Sequence, residues 1–155
     1  MRPDLSVGLS HSFYMAKIVE DIQIASNWAA HALTVSGYKV DFSLASLWEI
    51  ERFFCEHSDK GIAKPDGLLA QDLGSRIFAL GAYVGEVLRR YRNGQWVGDD
   101  NDPKVEVNIE LHFPDAEVCW PIQRVMKRFK NGSEDCIGFY GYAMGLPVGE
   151  RPKVP

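Results

Sequence analysis

The chain has 155 residues, enough for one well-filled core and too few for two ordinary domains. Apolar residues make up 46% and charged residues 25%, values of a globular chain rather than a disordered or fibrous one. The formal charge of −4 argues against nucleic acid as the main partner, while leaving room for a local basic patch.

The first residues, MRPDLSVGLSHSFYM, lack the continuous apolar core of a signal peptide. No apolar run approaches the roughly 18 residues of a membrane span. Cys55, Cys119 and Cys136 are odd in number, widely spaced and without a Cys-x-x-Cys pair. That pattern is neither a disulfide framework nor a zinc signature, and it suits small buried thiols in a reducing compartment. A soluble, cytoplasmic protein is the expectation, with no membrane partner. Residues 1–11 read as a flexible arm, 12–144 as a single domain and 145–155 as a Pro/Gly-rich tail.

Residues 12–36 carry a helical pattern. Met15, Ile18, Ile22, Ala25, Ala29 and Ala32 form one stripe, and Ile24, Trp28, His31 and Val35 form its neighbour. Gly37 stands at a C-terminal cap position. His31 has no second ligand at helical spacing, so it reads as a packed or partly exposed histidine. After a connector over 38–42, a second helix begins near Ser43 or Ser46, where Ser46-Leu47-Trp48-Glu49 has the form of a capping box. Leu47, Ile50, Phe53 and Phe54 supply the buried face of that helix. The stretch 60–67, with two glycines and Pro65, reads as a loop.

The central helix is predicted to start within 66–69 and to run to Arg92. Ile77, Leu80, Val84, Val87, Leu88 and Tyr91 share one face, and Phe78, Gly81, Ala82 and Gly85 share a second. Each glycine costs about 1 kcal/mol relative to Ala in a helix, so the pair predicts close approach of another element. Asn93-Gly94 ends the helix. Gln95-Trp96-Val97 reads as a short strand, followed by an exposed acidic loop over 98–103. Residues 104–113 alternate, with Val105, Val107, Ile109, Leu111 and Phe113 against Glu106, Asn108, Glu110 and His112. That period predicts a strand with one face on the core and one in water. A turn and a return strand at Val118-Cys119-Trp120 complete an antiparallel hairpin, and Trp96 and Trp120 are both expected to be buried. Pro121 opens a further helix with Ile122, Val125, Met126 and Phe129 as its apolar face. Asn131-Gly132 ends it, and Ser133 is the expected cap of a last helix carrying Ile137, Tyr140 and Met144. The fold class is α+β: about five helices packed on a small antiparallel sheet of two or three strands.

Asp41-Phe42-Ser43, Leu80-Gly81-Ala82-Tyr83-Val84-Gly85-Glu86-Val87, Trp96, Trp120-Pro121, Val125, Lys127-Arg128, Asn131-Gly132 and Glu134-Asp135 occur in that order. In this arrangement the stretch 28–144 resembles a group of small, mostly bacterial proteins of unknown function. The resemblance implies a helical domain with a small sheet and transfers no activity. Similar small domains act as immunity or accessory proteins in secretion and toxin systems, which makes such a role an expectation.

Glu86 is the first candidate for chemistry, because a desolvated carboxylate is how enzymes bring an acid or base toward neutrality. Tyr83 stands three residues before it and Arg90 four residues after it. The simpler reading is a Glu–Arg pair at helical spacing with a tyrosine hydrogen bond. No nucleophile elbow, metal-binding pattern or phosphate loop is present, so no metal and no cofactor are expected. Asp99, Asp100, Asp102, Glu106 and Glu110 form an acidic group, with Glu106 and Glu110 together on the outer face of the predicted strand. That group suits a basic protein partner. Arg124, Lys127 and Arg128, beside Lys130 and following Arg89, Arg90 and Arg92, offer an alternative basic face. The leading function is a non-catalytic protein-binding module of the immunity or adaptor type. An enzyme using Glu86 as general base and a homodimeric structural protein are the two rivals.

Overall fold

The structure is a computed structural model that describes residues 16–152. The expected arm at 1–11 and Met15 lie outside the described residues. Within them, six helices and two small antiparallel sheets form an α+β fold. The helices are α1 (Lys17–Val35), α2 (Ser46–His57), α3 (Leu73–Arg92), α4 (Val105–Asn108), α5 (Pro121–Asn131) and α6 (Ile137–Ala143). A hairpin of β1 (Ser58–Asp59) and β2 (Ile62–Ala63) follows α2, where the sequence suggested only a loop. The larger sheet has the order β3 (Gln95–Val97), β4 (Glu110–His112), β5 (Val118–Cys119), with Trp96 opposite Leu111 and Leu111 opposite Cys119.

Helix α3 is the axis of the fold, with α1 packed on one side and α5 on the other. Tyr83, Val84 and Leu88 are fully enclosed. Gly81 and Gly85 supply the close approach that their placement predicted. A Cβ on Gly81 would lie 2.8 Å from the Cα of Ile122, and one on Gly85 only 2.1 Å from the Trp96 ring. Both distances are far inside van der Waals contact, so these two positions seat the first turn of α5 and the indole of Trp96.

Several predicted boundaries move, each for a local reason. Helix α3 begins at Leu73 rather than within 66–69, because the preceding segment is tied elsewhere: Leu69 is buried and the Arg76 guanidinium binds the Leu68 carbonyl. Ser46 does not cap α2. Ser43 takes that part, its Oγ accepting the Ser46 N–H at 3.3 Å, while Glu49 turns outward to the Lys39 N–H at 2.8 Å and to Arg52. On α1 the buried stripe is Ile18, Ile22, Ser26, Ala29 and Leu33, and the neighbouring Ile24, Trp28 and Val35 are exposed.

The long strand predicted over 104–113 is the largest correction. Only Glu110–His112 is extended; Val105–Asn108 is a helical turn. Asp102-Pro103 starts that turn. The Asp102 carboxylate accepts the Lys104 N–H at 2.8 Å and the Asn108 side-chain amide at 2.9 Å, and its carbonyl accepts the Val105 N–H at 3.1 Å, so Asp102 ties the turn at both ends. Val107 therefore leaves the core, and Glu106 and Glu110 no longer share a face.

Near the C-terminus, a 3₁₀ turn over Gly132–Asp135 replaces the expected Ser133 cap, and α6 starts after Cys136. The stretch expected to be a tail carries core residues. Leu146 and Val148 are buried, and the Trp48 indole donates to the Gly149 carbonyl at 3.2 Å. Trp96 is buried as expected, whereas Trp120 is 41% exposed, since the chain turns there into α5 and its ring lies outside the junction.

Candidate functional site

Glu86 is 2% exposed and fully engaged. Arg89 grips both carboxylate oxygens, at 2.6 and 3.0 Å, the Trp96 indole N–H donates at 2.8 Å, and Arg90 stands 3.5 Å away. Burial pushes this carboxyl up, but the Arg89 and Trp96 hydrogen bonds and the two guanidinium charges outweigh it and hold it below the usual range. Such a group stays ionised near neutrality, and its oxygens are turned to the indole rather than to a cavity. The pairing partner the sequence singled out, Arg90, is secondary to Arg89. Tyr83 does not reach Glu86; its hydroxyl lies 2.7 Å from Ser46 Oγ and accepts the Phe42 N–H at 2.9 Å. Arg90 lies over the Phe42 ring at 3.7 Å. The three residues thus join α3 to β3 and to the start of α2.

The acidic group is likewise divided among structural tasks. Asp100 receives the Lys17 and Ile18 N–H groups at 2.9 and 3.0 Å and so caps α1 from 83 residues away. Asp99 accepts the Asn101 N–H at 2.9 Å, Asp102 starts α4, and Glu110 pairs with His112 at 2.8 Å. Glu106 alone of the five stands exposed without a partner among the described residues. A continuous acidic face does not form.

The basic face also breaks up. Arg128 is buried against Glu51, with contacts of 2.8 and 3.0 Å from Nε and 2.8 Å from Nη2. Arg124 pairs with Asp135 at 3.4 Å and lies over the Tyr140 ring. Arg92 is held by Asp115 and Glu117. Lys127 and Lys130 remain exposed, three residues apart on one side of α5.

Those two lysines border a groove of about 720 Å³ between α3, α4 and α5. Leu73, Ile77 and Phe78 form one wall, Met126 and Phe129 the other, and Val107 with Glu106 one end. Three sequence features open it. Val107 is released from the core by the Asp102-Pro103 turn. Gly74, whose missing Cβ faces open space, thins the α3 wall. Helix α5 is apolar over more of its surface than α3 covers: Ile122 and Val125 are buried, but Met126 is 41% exposed. Phe78 continues this surface into a second cleft of about 470 Å³ with Ile24, Ala25 and Trp28 of α1. The sequence signal for the groove was present in the width of the Ile122, Val125, Met126 and Phe129 stripe, which reads as the apolar face of this helix.

His57 fixes the segment leading to this wall. Its Nδ1 accepts the Leu68 N–H at 3.0 Å, so Nε2 carries the hydrogen and donates to the Tyr38 hydroxyl at 3.1 Å, which in turn donates to Glu56. Burial lowers the imidazole pKa, Glu56 opposes that, and Lys64 adds to it. A depressed histidine pKa means that the unfolded chain takes up the proton first as pH falls. The stabilising contribution is therefore present above the unfolded value near 6.5 and is lost as pH falls from there through the depressed folded value. Unfolding midpoints compared at about pH 7.5 and 5.5 should show a steeper acid loss in the wild type than in His57→Gln; equal slopes would contradict the assignment.

Among the described residues, no group of three His, Cys, Asp or Glu side chains is placed to hold a metal ion, and no helix is long and apolar enough to cross a membrane. Comparison with protein-family models, with curated proteins and with solved structures finds no match for this chain.

Proposed function

We propose that this protein is a non-catalytic binding module that holds an apolar segment of a protein partner in the groove between α3, α4 and α5. The groove itself carries the reading: it combines exposed apolar walls with few polar groups, the composition of a recognition surface. Glu86 supports it from the other side, since a carboxylate gripped by Arg89 and Trp96 is already saturated. The immunity or adaptor type rests on the sequence resemblance and narrows the partner to a protein of a secretion or toxin system.

The experiment is affinity capture from the native host with the wild type, with Met126→Glu, and with Tyr142→Glu as a control at an exposed position outside the groove. The reading predicts a protein held by the wild type and the control and lost by Met126→Glu. A partner held equally by all three would overturn it.

A further inference from the structure

We infer that the groove takes one amphipathic α-helix of a partner, laid with a carboxylate-bearing edge along Lys127 and Lys130 and one end toward Glu106. This rests on the groove being the binding site and adds the conformation, chemistry and orientation of the occupant. The conformation follows from the walls. They are the sides of α3, α4 and α5, and the groove's lining includes no strand residue. An occupant lying there finds no ladder of main-chain donors and acceptors. It must satisfy its own backbone hydrogen bonds, which a helix does and an extended segment does not. The walls offer Leu73, Ile77, Phe78, Met126 and Phe129 to side chains that recur every three or four positions on one helical face.

Charge sets the orientation. Lys127 and Lys130 are both exposed, both line the groove and make no ion pair among the described residues. Their spacing of three places them on one side of α5, so their ammonium groups form one positive edge. Glu106, also exposed and without an ion pair among the described residues, stands at the α4 end. The other basic residues of α5 are unavailable, Arg128 being buried on Glu51 and Arg124 paired with Asp135. An acidic flank on the occupant therefore meets two free cations on one edge. A basic flank there meets only repulsion, which is how such a rim selects among partners of equal hydrophobicity.

The test uses two designed helical peptides of roughly 18 residues with the same Leu face, one flanked by Glu and the other by Lys at the same positions. Fluorescence anisotropy at low salt should show the Glu-flanked peptide binding about fivefold tighter to the wild type or better. Lys127→Glu combined with Lys130→Glu should reverse the preference, and Met126→Glu should weaken both peptides. Equal binding of the two peptides, lost in Met126→Glu, would overturn the charged-edge inference while leaving the groove as the site. Binding that survives Met126→Glu, absence of binding by either peptide at millimolar concentration, or a wild type that self-associates through Met126 would overturn the helix occupant itself.

Discussion

Replacing Arg128 with Met should destabilise the protein by about 3–5 kcal/mol, the cost typical of stranding one member of a buried ion pair. Arg128 and Glu51 are almost completely buried, and the carboxylate also accepts the Ile137 N–H at 2.9 Å, so it joins α2, α5 and the start of α6. Burial pushes the Glu51 carboxyl up, but Arg128 and the Ile137 amide together hold it below the usual range. Its contribution is then present above the ordinary carboxylate pKa and disappears as pH falls through the depressed folded value. In Arg128→Met the sign inverts. The stranded carboxylate prefers its proton, so the deficit should shrink on acidification. A second substitution, Glu51→Gln, should recover much of the loss, because an amide oxygen can still receive the Ile137 N–H without a buried charge. Denaturant titrations of the two single variants and the double variant give the coupling directly. A loss under about 1 kcal/mol in Arg128→Met would show that water or rearrangement satisfies Glu51, contrary to the packing described.

Gly85→Leu should cost about 2–4 kcal/mol, combining overpacking with a lost hydrogen bond to a charged group and offset in part by the better helix propensity. The Cβ alone would stand 2.1 Å from the Trp96 ring, and Pro121 blocks retreat at 3.1 Å. Trp96 must move, and its donation to Glu86 goes with it. The control is Gly74→Ala on the same helix, where a Cβ meets nothing within 4 Å. There the substitution should be neutral or stabilising by up to about 1 kcal/mol. The contrast separates a packing effect from helix propensity. An unchanged or higher midpoint in Gly85→Leu would refute the close approach.

Much of the fold was legible because it is local. The hydrophobic spacing of α2, α3 and α5, the turn at Asn93-Gly94 and the proline opening α5 are all encoded within a few residues. The paired glycines of α3 announced close contact before any neighbour was known. What failed depended on side-chain hydrogen bonds that periodicity does not register, two of them to partners distant in the chain. Asp102 turned a faultless alternation into a helical turn, and no window of periodicity contains that competition between a turn and a strand. Asp100 looked like surface charge because its role, capping α1, spans 83 residues. Arg128 looked like part of a basic face because its partner, Glu51, lies 77 residues away. The candidate site suffered most. Met126 and Phe129 were correctly read as apolar, but apolar character does not reveal whether another element covers a side chain. Here α3 reaches Ile122 and Val125 and stops short of Met126.

The reading of this protein as a binding module turns on that uncovered surface. The most direct measurement is the affinity of the partner recovered by the wild type for three purified proteins: wild type, Met126→Glu and Tyr142→Glu. All three should unfold at closely similar midpoints, because both altered side chains are exposed. The account predicts that Met126→Glu loses most of the affinity, tenfold or more, about 1.4 kcal/mol, while Tyr142→Glu matches the wild type. Equal affinity across the three folded proteins would contradict it and place the recognition surface outside the groove.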